Sequence, residues 1–287
     1  MIMNNNEKNK LEPSTLYLVG TPIGNLSDLS ERAKKVLTEV DFIAAEDTRN
    51  SMKLCSVLGI KKELVSYFEH NKRASGERIV ARLLSGESCA LVTDAGMPAI
   101  SDPGEDIVRL CQDAGLKVSV VPGPCAAISA LAMSGLPTGR FTFEGFLSAV
   151  KGERRAELEA LTGEMRTMIF YEAPHKLRAT LADMKTAFGG DRQISLAREL
   201  TKLNEEVVRT TLDAAVKYYE EKEPRGEYVL IVEGASEPKR DENPLLSLSP
   251  EEHVRHYTDS GMSKMDAIKA AARDRGVPKS VLYKELL

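Results

Sequence analysis

Residues 91–104 read LVTDAGMPAISDPG, and this stretch gives the clearest indication of the fold. An apolar run ends at Val92, and a loop with two glycines, two prolines and two aspartates follows it. We predict that Asp102 caps a helix and that Pro103 lies in its first turn, where a fixed φ is favourable and no N–H is needed. The loop would then join a strand to a helix, at the position where open α/β sheets bind their ligands. A tight connection without a ligand is the alternative.

The composition is that of an ordinary globular protein. The chain has 287 residues, of which 42% are hydrophobic and 29% charged, and its net charge is −4. This length suggests about two domains, and the negative charge means that nucleic-acid binding would need a local basic patch. Four dispersed cysteines without a Cys-x-x-Cys pair indicate neither a disulfide framework nor a zinc site. Because residues 1–10 lack the apolar core of a secretory signal and no apolar run reaches membrane length, we expect a cytoplasmic protein without a membrane span.

Apolar strand-like segments alternate with helical ones along most of the chain. Five such strands before residue 122 predict a mostly parallel sheet, and a second α/β set begins near Leu136. Beyond a polar linker the sequence becomes helical, and Gly276 and Pro278 interrupt it in a pattern typical of helix-turn-helix. The expected organisation is a disordered tail at 1–13, an N-terminal α/β domain at 14–122, a C-terminal α/β domain at 123–236 and a small helical region at 244–287.

Charged side chains follow several predicted strands. One group is EDTR at residues 46–49 and another is RELTK at residues 198–202. Such groups could form a reactive cluster, although solvated ion pairs are the alternative. Small residues after the PGP sequence at 122–124 would let a flat ligand lie against helix N–H groups, or would simply allow close packing. The spacing of Gly20 and Gly24 does not fit the dinucleotide pattern G-x-G-x-x-G.

The helical region carries a local excess of positive charge. Six basic residues lie between Lys264 and Lys284, against two acidic ones. This charge suggests contact with a phosphate backbone, and a plain solvated helix face is the alternative. The spacing of His253 and His256 fits one helix face, but no further ligand completes a metal site, so both are expected at the surface.

Six motifs together resemble the tetrapyrrole methylase superfamily. They are GTPIGNL (20–26), AEDTR (45–49), TDAGMP (93–98) with SDPG (101–104), PGP (122–124), EAPH (172–175) and RELTK (198–202). Within the superfamily the chain is most similar to the bacterial enzymes that methylate the 2′-oxygen of a cytidine in 16S ribosomal RNA. Met97 stands where these relatives usually carry Thr, and Ala173 replaces an expected Ser.

The resemblance implies a fold, a cofactor and partners. The fold would be two α/β domains with an S-adenosylmethionine (SAM) cleft between them, plus a small helical C-terminal appendage, usually in a homodimer. The substrate would be the decoding region of 16S RNA within the 30S subunit. The implied cofactor contacts are Asp94, Gly96, Met97, Pro98, Ile100, Cys125, Ala126, Tyr171, Glu172 and Gly226. The expected RNA contacts are Gly20, Pro22, Gly24, Asn25, Lys264, Arg273 and Lys279.

Methyl transfer from a sulfonium to a ribose oxygen needs positioned reactants and no metal. We hypothesise that Asp47 or Glu199 accepts the 2′-hydroxyl proton and that Arg49 holds a phosphate. Lys202 could act as a base only if burial lowered its pKa. Two other functions remain open: a methyltransferase for a tetrapyrrole or corrin precursor, and a non-catalytic ribosome-assembly factor.

Overall fold

The computed structural model of the protein describes residues 10–236 and 244–286. These two stretches form separate compact units. Residues 1–9 of the predicted tail and the whole predicted linker lie outside the described residues. Within the described part of the tail, Leu11 packs against the core, and the Glu12 carboxylate accepts a 2.7 Å hydrogen bond from Lys117. None of the described helices is long and apolar enough to cross a membrane.

The first unit begins with a five-stranded parallel sheet, which confirms the predicted strand direction. Its strands are β1 (Thr15–Val19), β2 (Phe42–Ala45), β3 (Glu63–Ser66), β4 (Cys89–Val92) and β5 (Lys117–Val121). The helices between them are α1 (Glu31–Glu39), α2 (Thr48–Leu58), α3 (Lys72–Leu84) and α4 (Glu105–Asp113). The strand order is β3-β2-β4-β1-β5. The loops after β1, β2, β4 and β5 therefore share one edge of the sheet.

Local sequence explains these elements. Every residue of β2 and β4 is buried, as expected for central strands of a parallel sheet that is covered on both faces. In α1, the Ser30 hydroxyl caps the helix by accepting a hydrogen bond from the Ala33 N–H. The buried face of α1 then carries Val36 and Leu37, three and four residues after Ala33.

The predicted start of α4 is wrong. Gly104, not Asp102, is the N-cap, and the helix begins at Glu105. The reason is that Ala99 and Ser101 adopt left-handed φ angles of 67° and 63°, which turn the chain before the helix can start. Gly104 packs so closely against Ala99 that an added Cβ would lie 2.7 Å from the Ala99 Cβ. Asp102 is thereby free for another role.

The second sheet of this unit is mixed. Its strands are β6 (Phe141–Phe146), β7 (Thr167–Glu172), β8 (Gln193–Arg198), β9 (Glu206–Thr211) and β10 (Tyr228–Val232), in the order β6-β7-β10-β8-β9. Only β6 and β7 run parallel. The associated helices are α5 (Ala126–Ser134), α6 (Lys151–Ala160), α7 (Pro174–Phe188) and α8 (Leu212–Glu221). Helix α5 covers one face, and α6, α7 and α8 cover the other.

The second unit is helical, as predicted. After a short 3-10 helix at Pro244–Ser247 come α9 (Pro250–Asp259), α10 (Lys264–Asp274) and α11 (Lys279–Glu285). The expectation of a surface histidine is wrong for His253, which is completely buried. Its Nε2 atom lies 3.3 Å from Asp274 Oδ2, and its Nδ1 atom accepts a 3.1 Å hydrogen bond from Arg275 Nε. The C-terminal end of α10 thus supplies the polar partners that allow the ring to be buried.

Candidate active site

A cavity of about 520 Å³ lies in the first unit, where the carboxyl ends of strands from both sheets meet. This volume is within the usual range for small-molecule sites, about 300–1,000 Å³. The lining comes from the loops after β1, β2, β4 and β5 and from the ends of β6, β7, β8 and β10. We call this cavity the cleft. It matches the rule that α/β proteins bind ligands beyond the carboxyl ends of their strands.

Close main-chain contacts fix one wall of the cleft. Thr21 and Gly96 exchange two hydrogen bonds, of 2.9 and 3.1 Å, which tie the loop after β1 to the loop after β4. Gly20 is buried against Gly123, where a side chain on either glycine would collide with the other backbone. Gly20, which was predicted to contact RNA, thus allows the loop after β1 to pack closely on the loop after β5.

Three carboxyl groups line the same wall, on Glu46, Asp94 and Asp102. The Thr93 hydroxyl donates a 2.7 Å hydrogen bond to Glu46, and the Asp94 carboxylate accepts one of 2.9 Å from Asn50. Burial raises the pKa of Asp102 to about 6; the nearby Thr93 hydroxyl lowers it, and the charges of Glu46 and Asp94 raise it further. Asp102 is therefore more basic than an ordinary carboxylate.

The opposite wall carries an ion-pair network. Lys202 Nζ lies 2.9 Å from Glu199 Oε1 and 2.9 Å from Glu227 Oε2. Its hydrogen bond lowers the pKa of Glu199. Burial acts to lower the pKa of Lys202, but the hydrogen bonds that it donates to Glu227 and Glu199 outweigh burial, and the pKa is raised. The condition under which Lys202 could act as a base is thus not met.

Backbone conformation gives this second wall its shape. Glu199 and Thr201 have left-handed φ angles of 52° and 64°. Gly226 fits against Glu199 so tightly that an added Cβ would lie 2.5 Å from the Glu199 Cγ. Together with Ala99 and Ser101, four of the five described non-glycine residues with positive φ are in the two loops that border the cleft. Such strain is concentrated at functional sites in proteins generally.

Asp47 and Arg49 form a pair outside the lining of the cleft. Asp47 caps α2 by accepting a hydrogen bond from the Arg49 N–H, and its carboxylate also pairs with the Arg49 guanidinium, with a closest distance of 2.6 Å. These bonds from Arg49 lower the pKa of Asp47 to about 2. The Arg49 side chain remains 85% exposed and is available to an anionic partner.

Comparison with known proteins now identifies the family. The sequence pattern of the Tetrapyrrole (Corrin/Porphyrin) Methylases matches residues 15–216. The chain belongs to this family. It is 48% identical over 276 residues to the ribosomal RNA small subunit methyltransferase I of Bacillus subtilis, covering 96% of this chain and 94% of that one. The proteins of the same name from Pseudomonas aeruginosa and Escherichia coli O157:H7 are 44% and 43% identical, over 96% and 95% of this chain and 98% and 94% of theirs.

Solved structures of methylases show the same fold. The uroporphyrin-III-C-methyltransferase of Thermus thermophilus is 22% identical with a TM-score of 0.54, and cobalt precorrin-4 methyltransferase is 16% identical with a TM-score of 0.57. Each covers 77% of this chain, and the match spans 94% and 95% of their own chains.

The structure gathers most of the predicted cofactor residues of this methylase at the cleft. Those that line it are Asp94, Gly96, Met97, Ile100, Cys125, Ala126, Tyr171 and Glu172. Pro98 is buried and Gly226 half-buried, and neither lines the cleft; Glu227 and Tyr228, directly after Gly226, do. The carboxylate of Glu172 is occupied by hydrogen bonds from the Ala173 N–H and the Thr180 hydroxyl.

The predicted RNA-binding residues are more dispersed. Pro22 is half-buried, whereas Gly24 and Asn25 are exposed. Gly24 packs on Lys202, so this loop contacts the second wall of the cleft. In the helical unit, Lys264 and Arg273 are exposed and Lys279 is half-buried.

Sequence reasoning missed some residues of the cleft. Glu46 belongs to the EDTR group and Thr93 to the TDAGMP motif, but neither has an individual role in the sequence-based hypotheses, and Asp102 is predicted as a helix cap. Phe146 also lines the cleft and packs against Tyr171, with ring centroids 5.4 Å apart. The position of Phe146 at the end of a predicted strand was the signal that could have identified it.

Proposed function

We propose that this protein uses SAM to methylate the 2′-oxygen of a cytidine ribose in the decoding region of 16S rRNA, on the small ribosomal subunit. One comparison carries the proposal. Relatives named ribosomal RNA small subunit methyltransferase I cover 95–96% of this chain, whereas the two tetrapyrrole methyltransferase structures cover 77%. The helical unit lies beyond the family match at residues 15–216. Its similarity to the rRNA enzymes therefore favours RNA over a tetrapyrrole as substrate.

The chemistry of the cleft suits SAM. The carboxylates of Glu46 and Asp94 on the first wall suit the cofactor's positive charges. The N-terminus of α5, at Cys125, has no side-chain cap, so its N–H groups can receive a carboxylate. Ile100, Phe146 and Tyr171 offer apolar surface for a flat heterocycle. When bound, SAM supplies an electrophilic methyl group and a sulfur leaving group.

The chain's own residues have to place the ribose and move one proton. Positioning of two reactants contributes about 7–11 kcal/mol to catalysis. We assign Arg49 to a backbone phosphate, because its guanidinium is exposed and Asp47 fixes its orientation. Lys202, held by Glu199 and Glu227, places a second positive charge at the cleft.

The helical unit is proposed to contact RNA phosphates. Lys264, Lys269 and Arg273 are exposed on α10, and Lys284 is exposed on α11. Arg275 is different, because it hydrogen-bonds His253 and the Leu248 carbonyl within the unit. We further propose that the protein is a cytoplasmic homodimer.

Transfer of tritium from methyl-labelled SAM tests the proposal. The acceptors are 30S subunits from cells lacking the homologous enzyme, naked 16S RNA, and a tetrapyrrole precursor such as uroporphyrinogen III. Label is expected in 30S subunits. Label only in the tetrapyrrole would support a precursor methylase, and calorimetry that detects no SAM binding would support a non-catalytic assembly factor.

A further inference from the structure

One acidic side chain of the cleft lies directly after a strained turn. Asp102 lies on the loop after β4, half-buried, and lines the cleft between Ser101 and the start of α4. The left-handed conformations of Ala99 and Ser101 remove it from the helix that its sequence would otherwise cap. Asp102 therefore lines the cleft and does not cap α4, and the left-handed backbone of Ala99 and Ser101 carries the strain of this arrangement.

The other carboxylates near the cleft have side-chain partners, and Glu46 and Asp94 accept hydrogen bonds from the Thr93 hydroxyl and the Asn50 amide. Asp47 is bound by Arg49, and Glu199 is bound by Lys202. Glu172, at the end of β7, accepts hydrogen bonds from the Thr180 hydroxyl on α7 and from the adjoining Ala173 N–H. Within residues 10–236 Asp102 forms no ion pair, and the nearby Thr93 hydroxyl already donates its proton to Glu46. A cationic partner would lower the pKa of a carboxylate and make it a weaker base. A carboxylate without such a partner is therefore better suited to act as a general base.

We propose that Asp102 is the group that accepts the proton of the ribose 2′-hydroxyl during methyl transfer. This inference rests on the proposed function and names the base for it. Asp47 and Glu199 then serve to orient Arg49 and Lys202 instead of accepting the proton.

The charges around Asp102 come from several elements. Glu46 approaches from the end of β2, Asp94 from the start of its own loop and Tyr171 from β7. The two carboxylates repel a negative charge on Asp102, and with burial they bring its pKa to about 6. Burial also raises the pKa of Tyr171 to about 12, so that phenol stays neutral. At neutral pH Asp102 is therefore ionised, yet it binds a proton more readily than an ordinary carboxylate.

The Asp102 carboxylate takes the hydroxyl proton while the 2′-oxygen forms a bond to the methyl carbon. The carbon–sulfur bond breaks, and its electron pair remains on sulfur, which becomes a neutral thioether. The carboxylic acid then returns its proton to water. No oxidant, reductant or metal takes part in this balance.

Single-turnover methylation of 30S subunits between pH 5 and 8.5 tests the assignment, with the wild type, Asp102→Asn and Asp102→Glu. The wild-type rate should fall as the pH decreases, with an apparent pKa at or below about 6, because bound SAM is cationic. Asp102→Asn should be slower by about 10²–10⁴-fold and should lose this pH dependence. Asp102→Glu should recover part of the rate and a pH-dependent profile.

Two measurements separate this role from a merely structural one. Calorimetry should show that Asp102→Asn binds SAM and S-adenosylhomocysteine with affinities close to those of the wild type. Carbon-13 NMR of aspartate carboxyl groups should show one titration near pH 6 in the cofactor-free wild type that is missing in Asp102→Asn. Asp106→Asn is the matched control, since Asp106 lies on α4 in an exposed pair with Lys72; its rate should be unchanged.

The outcomes distinguish the two levels of the proposal. If the wild type labels 30S subunits and Asp102→Asn retains its rate or its pH dependence, the assignment of Asp102 is overturned. It is also overturned if the variant loses SAM affinity but reacts normally at saturating SAM. If the wild type itself labels no 30S RNA, the proposed function fails, whatever the variants do.

Discussion

Gly20 and Gly123 pack backbone against backbone, so closely that a Cβ on Gly20 would lie 2.7 Å from the Gly123 Cα. This contact joins the loop after β1 to the loop after β5. The adjacent Thr21–Gly96 hydrogen bonds join the first of these loops to the loop after β4. Three loops of the cleft are thus held in one arrangement before any ligand arrives, which lowers the ordering cost of binding.

We therefore expect Gly20→Ala to disturb both stability and cofactor binding. The new methyl group has to displace main chain, and overpacking of this kind typically costs about 1–3 kcal/mol. Urea unfolding measures the first effect, and calorimetry with SAM measures the second. Gly139→Ala is the control, because nothing lies within 4 Å of an added Cβ there. Equal stability and SAM affinity in both variants would contradict the interlocked arrangement.

Asp102 should make the cofactor-free protein less stable as the pH rises. Its folded pKa of about 6 exceeds the unfolded value, so between about pH 4 and 6 the folded state binds more protons than the unfolded state. Stability that is present below pH 4 is lost through this window. Asp102→Asn removes the penalty and should be more stable than the wild type by about 1–2 kcal/mol at pH 7.5, and by less at pH 4.5. Urea unfolding at both pH values checks this; a variant that is less stable at pH 7.5 would contradict it.

Arg49→Ala should weaken binding to 30S subunits without unfolding the protein. The Asp47–Arg49 pair is exposed, and pairs of this kind stabilise proteins by about 0–1 kcal/mol. Loss of one phosphate contact should reduce the slope of log affinity against log salt by about one. Binding is measured over a range of KCl concentrations. Arg73→Ala is the control, since that side chain is 96% exposed on α3; an equal loss in both variants would argue against a specific contact.

The basic residues of the helical unit should contribute to RNA affinity together. Replacement of Lys264, Arg273 and Lys279 by Ala should lower 30S affinity and the salt dependence, while SAM affinity stays the same. A matched triple replacement of the exposed residues Lys34, Lys53 and Lys217 controls for the change in net charge. If the two triple variants bind 30S subunits equally well, the helical unit does not make the proposed contact.

The core of the helical unit should depend on His253 and tolerate changes at His256. His253 is buried between Asp274 and Arg275, and its removal takes one hydrogen-bond partner from each of them. His253→Ala should therefore destabilise the unit by about 2–4 kcal/mol, and the exposed His256→Ala should have little effect. Burial lowers the pKa of His253, so the unfolded unit binds the proton more readily and stability is lost as the pH falls below about 6.5. Hydrogen exchange in α9 and α10 at pH 5.5 and 7.5 measures both effects; equal protection in the two variants would contradict the account.

The parts of the fold that could be predicted are those that depend on local pattern. The parallel sheet follows from the alternation of apolar strand-like segments with helical ones. Eight of the residues for which the resemblance implies cofactor contacts line the cleft. The position of Asp102 could not be predicted, because local capping preference competes with left-handed turns that close packing of Gly104 on Ala99 imposes. Burial of His253 was missed because its partners lie 21 and 22 residues away in sequence.

The most direct test of methylation at the ribose is alkaline hydrolysis of 16S RNA labelled from tritiated SAM. A methyl group on the 2′-oxygen blocks cleavage of the adjacent phosphodiester, whereas a methyl group on a base does not. We predict that the label is recovered in an alkali-stable dinucleotide whose 5′ residue is cytidine. Label recovered in mononucleotides would contradict the account.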